Sequence, residues 1–166
     1  MWLAILFIFI TISARLVPHI PNFSPLVAVA LFSGVYLKRR WAVVIPLGIY
    51  VVSDLIMGLH NTIPFTWGSM VLITCVGIYL KKRKTPVAVL SGTLFSSILF
   101  FIVTNLGVWL GGWYSLTPQG LVQCFTMAIP FFRTSLVSNI LYVAVLFGIY
   151  EFILSRRRVA VKQSLS

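Results

Sequence analysis

The sequence predicts an all-α integral membrane protein. The expected architecture is a bundle of six transmembrane helices, with both termini cytoplasmic and a short outer helix between spans five and six. Three observations predict it. Of 166 residues, 60% are hydrophobic and 9% charged, which leaves too little polar surface for a soluble domain of that length. Eleven of the 13 basic residues fall in three clusters: Lys38-Arg39-Arg40, Lys81-Lys82-Arg83-Lys84, and Arg156-Arg157-Arg158 with Lys162. The stretches between clusters are apolar. Lys and Arg beside membrane spans stay cytoplasmic, so the chain must cross an even number of times between clusters. The net charge of +11 is no sign of a nucleic-acid partner, because the basic residues cap apolar runs and do not interleave with a polar face. They suit anionic membrane lipid instead.

Residues 1–17 (MWLAILFIFITISARLV) read as a first span. A cleaved signal peptide is the alternative, although no basic residue precedes Arg15. RLVPHIPNFSP follows as a proline-rich outer loop. Ser24-Pro25 supplies an N-cap and a proline at the first helical position. The helix it opens, LVAVALFSGVYL, is about 20 Å long, short against a hydrocarbon core of about 30 Å. Part of the preceding loop is therefore expected to dip into the protein, where irregular backbone is tolerated only if buried or lining a cavity.

Residues 41–58 cross outward, HNTIPF turns, and residues 65–80 return. Thr85-Pro86 caps a long helix over residues 86–110, followed by the polar and aromatic loop GGWYSLTPQG. Thr117-Pro118 caps a short outer helix that Pro130 should end. Residues 134–155 then return to the third cluster. The expected unit is one membrane domain over residues 1–158, with a disordered cytoplasmic tail at 159–166.

Polar side chains gather toward the outer end: Arg15, His19, Asn22, Asp54, His60, Asn61, Trp67, Asn105, Trp109, Trp113, Tyr114, Gln123, Arg133 and Asn139. An ionisable group inside a span is costly and implies a partner. For Asp54 that partner is Arg15 or Arg133, a ligand, or solvent. Arg133 precedes the last span, where a cation opposes the helix dipole. It calls for an acidic partner or an anionic ligand unless it snorkels to water. Asn105, Trp109 and Trp113 are spaced to share one face if the helix persists. Trp and Tyr near an interface are also ordinary belt residues. Glu151 is expected to pair with the nearby basic cluster.

Cys75 and Cys124 form no CxxC pair; Cys75 suits packing, whereas Cys124 could reach a cavity. With two His and two acids, a metal centre is poorly supplied, although Asp54 with His19 or His60 is conceivable. No HExxH, GxSxG or Walker lysine loop occurs. The sequence therefore points away from an enzyme and from any cofactor.

The chain resembles the substrate-binding (S) components of energy-coupling factor transporters. Four features carry the resemblance: six spans with both ends inside; the loop RLVPHIPNFSP; the short helix and basic turn LFSGVYLKRR; and the excursion TNLGVWLGGWYSLTPQGLVQCFTMAIPFFRTSLVSNI. The strings RLVPHIPNFSPLVAVALFSG, SDLIMG, FFIVTNLGVWL and IPFFRTSL also look like a bacterial family of uncharacterised transport proteins related to S components. The resemblance implies a multi-pass protein of the bacterial inner membrane that captures a small water-soluble nutrient of the vitamin or precursor class. Residues 18–25 and 109–133 would cover the site. Trp109, Trp113 and Tyr114 would stack on the substrate. Asn22, Asn105, Gln123 and Asn139 would hydrogen-bond to it, beside His19 and Asp54, and Arg15 or Arg133 would meet a carboxylate or phosphate. A transmembrane coupling subunit with ATPases would energise uptake. S components carry Ala-x-x-x-Ala on the first span, which is missing here; the nearest small pair is Ala30 and Gly34 on the second helix. A membrane scaffold without ligand and a membrane enzyme are the alternatives.

Overall fold

The computed structural model describes residues 2–13, 21–59 and 61–164. They form six helices: α1 (Trp2–Ser13), α2 (Leu26–Tyr36), α3 (Arg39–Met57), α4 (Ile63–Leu80), α5 (Pro86–Leu110) and α6 (Pro118–Ser164). The last four are long and apolar enough to cross a membrane, which supports a multi-pass membrane protein. With 12 and 11 residues, α1 and α2 measure only about 18 and 16 Å.

The centre of the bundle is α2. Ten of its 11 residues are buried, and it packs against all five other helices. A helix apolar on every side is stable only when surrounded. Its closest approach is to α4, at a glycine pair. A Cβ on Gly34 would collide with the Thr74 carbonyl oxygen and lie 2.7 Å from the Cα of Gly77; a Cβ on Gly77 would collide with the Leu31 carbonyl oxygen. Ala30 and Gly34, the small pair on the second helix, thus face the interior and offer no outward docking face. At the lower end of α2, Phe32 and Tyr36 stand one turn apart and pack on Phe147 and Tyr150 of α6. The ring centroids of Phe32 lie 5.5 and 5.0 Å from those of Phe147 and Tyr150. Phe7 of α1 closes the cluster 5.8 Å from Tyr150.

Polarity is inverted relative to a soluble bundle. The buried residues of α5 are Gly92, Thr93, Ser96, Ser97 and Gly107, whereas Leu94, Phe95, Ile98 and Ile102 are exposed. Small residues let helices approach where no water drives their association. Several inward hydroxyls satisfy themselves on their own helices: Thr74, Thr93 and Ser97 donate to the carbonyls of Met70, Val89 and Thr93 at 2.8 Å each, whereas the buried Ser96 hydroxyl finds no partner among the described residues.

The three basic clusters meet at one end. Lys81 Nζ donates to the Leu37 carbonyl at 2.7 Å, Lys84 Nζ sits 4.7 Å from the centre of the Tyr36 ring, and Tyr36 Oη donates to Glu151 Oε1 at 2.7 Å. Glu151 is held by this hydroxyl and makes no ion pair with the neighbouring basic cluster among the described residues.

Several boundaries differ from expectation. Thr85 and Thr117 do cap their helices, accepting from the backbone N–H groups of Ala88 and Gly120 at 3.2 Å each. Ser24 does not cap α2: Pro25 takes that position, and the Ser24 hydroxyl is buried without a hydrogen-bond partner. The short outer helix is not separate. Pro130 lies inside α6, which runs unbroken for 47 residues. The same helix continues to Ser164 in place of a disordered tail. Cys75 is exposed on α4 and does not pack inside.

The glycine crossing makes a testable contrast. Gly48 on α3 has open space where a Cβ would go. Gly34→Ala is expected to destabilise by about 1–3 kcal/mol through overpacking, whereas Gly48→Ala should be neutral or gain up to about 1 kcal/mol. Thermal unfolding in detergent reads the difference, and equal shifts would refute the crossing.

Candidate functional site

The segment 21–25 enters α2 at the end remote from the basic clusters, and its conformation is fixed locally. Asn22 takes a left-handed φ of 62°, which Asn tolerates better than most residues. Ser135 and Ser138 stand one turn apart on α6. Their hydroxyls donate to the carbonyls of Asn22 and Ser24 at 3.0 and 3.1 Å. Phe23 packs on Tyr142 at 5.7 Å between ring centres. The segment is thus laced to α6.

Beneath it lie two adjoining cavities. The first, of about 300 Å³, is bounded by Asn22, by Thr66 of α4, by Ser97, Phe100, Phe101, Thr104, Asn105 and Val108 of α5, and by Ala128, Phe131, Phe132 and Ser135 of α6. The second, of about 250 Å³, shares Asn22, Thr66, Phe100 and Ser135 and adds Ser24, Leu26, Val27, Tyr50, Met57 and Asn139. The α5 wall follows helical spacing: Ser97, Phe101, Thr104 and Val108 recur every three or four residues. Phe101 is braced by Phe132 at 4.7 Å and by Phe125 at 5.5 Å.

The polar groups are placed by the helices themselves. Asn139 is buried on α6, and its Nδ2 donates to Ser97 Oγ across the bundle at 3.0 Å. Asn105 Nδ2 donates to the Phe101 carbonyl at 2.7 Å, and its side-chain oxygen accepts no bond among the described residues. Thr104 Oγ1 donates to the Phe100 carbonyl at 2.7 Å. Cys124 is buried beside this wall, with Sγ 3.5 Å from the Asn105 carbonyl oxygen. No Asp, Glu, Lys, Arg or His lines either cavity among the described residues. The described lining can hold and orient a small molecule through hydrogen bonds and ring contacts.

Of the residues singled out in the sequence, Asn22, Asn105 and Asn139 come together here. Asp54 sits just behind the wall, fully buried on the α3 face that carries Tyr50 and Met57, and it accepts from Trp67 Nε1 at 2.8 Å. Among the described residues it thus meets an indole next to Thr66, while Arg15 lies outside them. Arg133 is exposed on α6 and makes no ion pair among the described residues. Gln123 is exposed as well. The face expected to join Asn105, Trp109 and Trp113 is broken, because α5 ends at Leu110 and Gly112 turns the chain with a φ of +80°. Trp109 instead donates to the Ser115 carbonyl at 3.0 Å, and Trp113 is 73% exposed. Tyr114 is half-buried in the same loop and lines neither cavity. Arg15, His19 and His60 lie outside the described residues.

The sequence reading missed Thr66, Ser97, Thr104, Ser135 and the phenylalanines. The signal was available on α5 as a polar–aromatic stripe, Ser97–Phe101–Thr104/Asn105. Trp and Tyr drew attention in its place because they carry polar handles.

The Asp54–Trp67 contact yields a prediction. Asp54→Asn keeps an acceptor for the indole N–H, and Asp54→Ala strands it. The alanine variant should be less stable than the asparagine variant by about 1–3 kcal/mol in thermal unfolding; indistinguishable variants would mean that the bond contributes nothing.

No curated protein matches this chain, and no solved structure matches it. A protein-family model matches residues 1–163, nearly the whole length. The chain therefore belongs to a family of unknown function, DUF6580, and its four long apolar helices mark it as a membrane protein.

Proposed function

We propose that this protein captures a small, water-soluble nutrient from outside the cell and carries it toward the cytoplasm. It would work in the manner of the S components it resembles, energised by a partner complex with ATPases. The observation that carries the reading is the pair of cavities at the end remote from the basic clusters. A few placed polar groups in an otherwise apolar and aromatic hollow are what a small-molecule site requires. The Ser24 hydroxyl, buried on the lining and without a hydrogen-bond partner among the described residues, adds a donor that a ligand would satisfy.

The charge rule assigns the basic end to the cytoplasm, which turns the cavities outward. Six spans with both termini inside agree with the helix order. The shortness of α2 is no objection, because a helix enclosed by five others meets no lipid and need not match its thickness. The segment 21–25 laced to α6 then forms the cover. The described lining suits a small molecule with hydrogen-bonding edges and a flat face for Phe100, Phe101 and Phe132.

Native mass spectrometry of the detergent-purified protein after growth in rich medium should reveal a stoichiometric non-lipid adduct. Asn105→Ala and Phe101→Ala should each lower its retention about three- to tenfold, the worth of one hydrogen bond or one ring contact. Arg133→Ala should leave it within about twofold, as expected of a surface residue. A bare monomer carrying lipid alone, from both rich-medium and membrane-extract incubations, would instead favour a ligand-free scaffold.

A further inference from the structure

A third cavity lies at the opposite, basic end. It holds about 380 Å³ in the cleft between α5 and α6. Its walls are Pro86, Val89 and Leu90 on α5, and Ile140, Ala144 and Gly148 on α6, with Val143 and Phe147 as buried floor. Ala144 and Gly148 are exposed, and a Cβ on Gly148 would meet nothing within 4 Å. Internal packing therefore does not require this glycine; its lack of a side chain keeps the slot open toward the membrane. The mouth of the slot is polar. Lys84 lines it, with its ammonium held 4.7 Å from the centre of the Tyr36 ring, and Glu151 is engaged by the Tyr36 hydroxyl at 2.7 Å.

We propose that this slot is a binding site for one anionic phospholipid of the cytoplasmic leaflet, with an acyl chain between α5 and α6 and its phosphate at Lys84. Shape and charge both support this occupant. An apolar cleft of about 380 Å³, open toward the membrane, suits a hydrocarbon chain. The lining is apolar except at the end where a headgroup would lie. There the flanking segments carry Lys81, Lys82, Arg83, Arg156, Arg157 and Arg158 against one carboxylate, so the local charge is strongly positive. The inner leaflet supplies the matching negative headgroups. This site is separate from the outward cavities and does not depend on their having a ligand.

The test is native mass spectrometry of the full chain in detergent, titrated with palmitoyl-oleoyl phosphatidylglycerol or the corresponding phosphatidylcholine. The wild type should retain phosphatidylglycerol roughly fivefold better than phosphatidylcholine. Gly148→Leu, which fills the slot, should lose the retained lipid of both kinds. Lys84→Gln, a surface change that does not threaten folding, should bring the two lipids to near parity while keeping one bound. Equal retention of both lipids by the wild type would overturn the proposal. So would an unchanged adduct in a folded Gly148→Leu protein, the result expected if the cleft awaits a partner helix. If Gly148→Leu does not fold, an undiminished phosphatidylglycerol preference in Lys84→Gln is sufficient to reject the site.

Discussion

Everything in this bundle is arranged around a helix that has no outside. α2 is short, apolar on all sides and enclosed by five neighbours, and it can come close enough to α4 only because Gly34 and Gly77 meet backbone to backbone. In lipid there is little hydrophobic gain in bringing two apolar helices together, so close van der Waals packing must supply the attraction. The glycine crossing does this on one side of α2, and the ring cluster of Phe7, Phe32, Tyr36, Phe147 and Tyr150 does it on the other. With α2 held at the lower end, its upper end meets a loop, not a sixth wall. The outward cavities open where the enclosing helices continue past the start of α2.

That geometry explains why the polar residues gather where they do. Serine and threonine on the inner faces of α4, α5 and α6 can turn their hydroxyls back to their own helices and so enter an apolar interior without stranding a donor. Beside the cavities the same residue types do something else. Ser135 and Ser138 reach across to the loop backbone, and Ser97 meets Asn139. One chemistry therefore serves both as neutral packing and as lacing, and what separates the two uses is whether a neighbouring helix or an irregular segment lies opposite.

Much of the fold was legible in the sequence because its signals are local. The start of α5 followed from Thr85-Pro86 and its end from Gly111-Gly112; both fell within a residue of the structure. The basic clusters marked one end of the bundle correctly because charge cannot enter the apolar layer. Pro130 misled because a proline removes one hydrogen bond but does not by itself end a helix. The site was half legible. Asn105 and Asn139 stood out as amides in apolar runs. Asp54 was expected to need a partner, and one group it accepts from is an indole thirteen residues on, which charge pairing would not suggest. The phenylalanines were invisible as lining, because one-sided apolar residues look alike whether they face lipid, core or cavity.

The continuity of α6 has a mechanical consequence. One rod lines the outward cavities with Ser135 and Asn139, the inner slot with Ala144 and Gly148, and the basic end with Glu151. Between Pro130 and Glu151 it runs about 30 Å without a break. Above that stretch, Pro130 leaves the carbonyl of Thr126 without its usual helical donor, the one point where bending meets least resistance. A tilt of the lower rod about this pivot cannot change one cavity alone. It shifts the α6 wall against α5 at both ends together, so that the cavities at one end and the cleft at the basic end are joined by a lever.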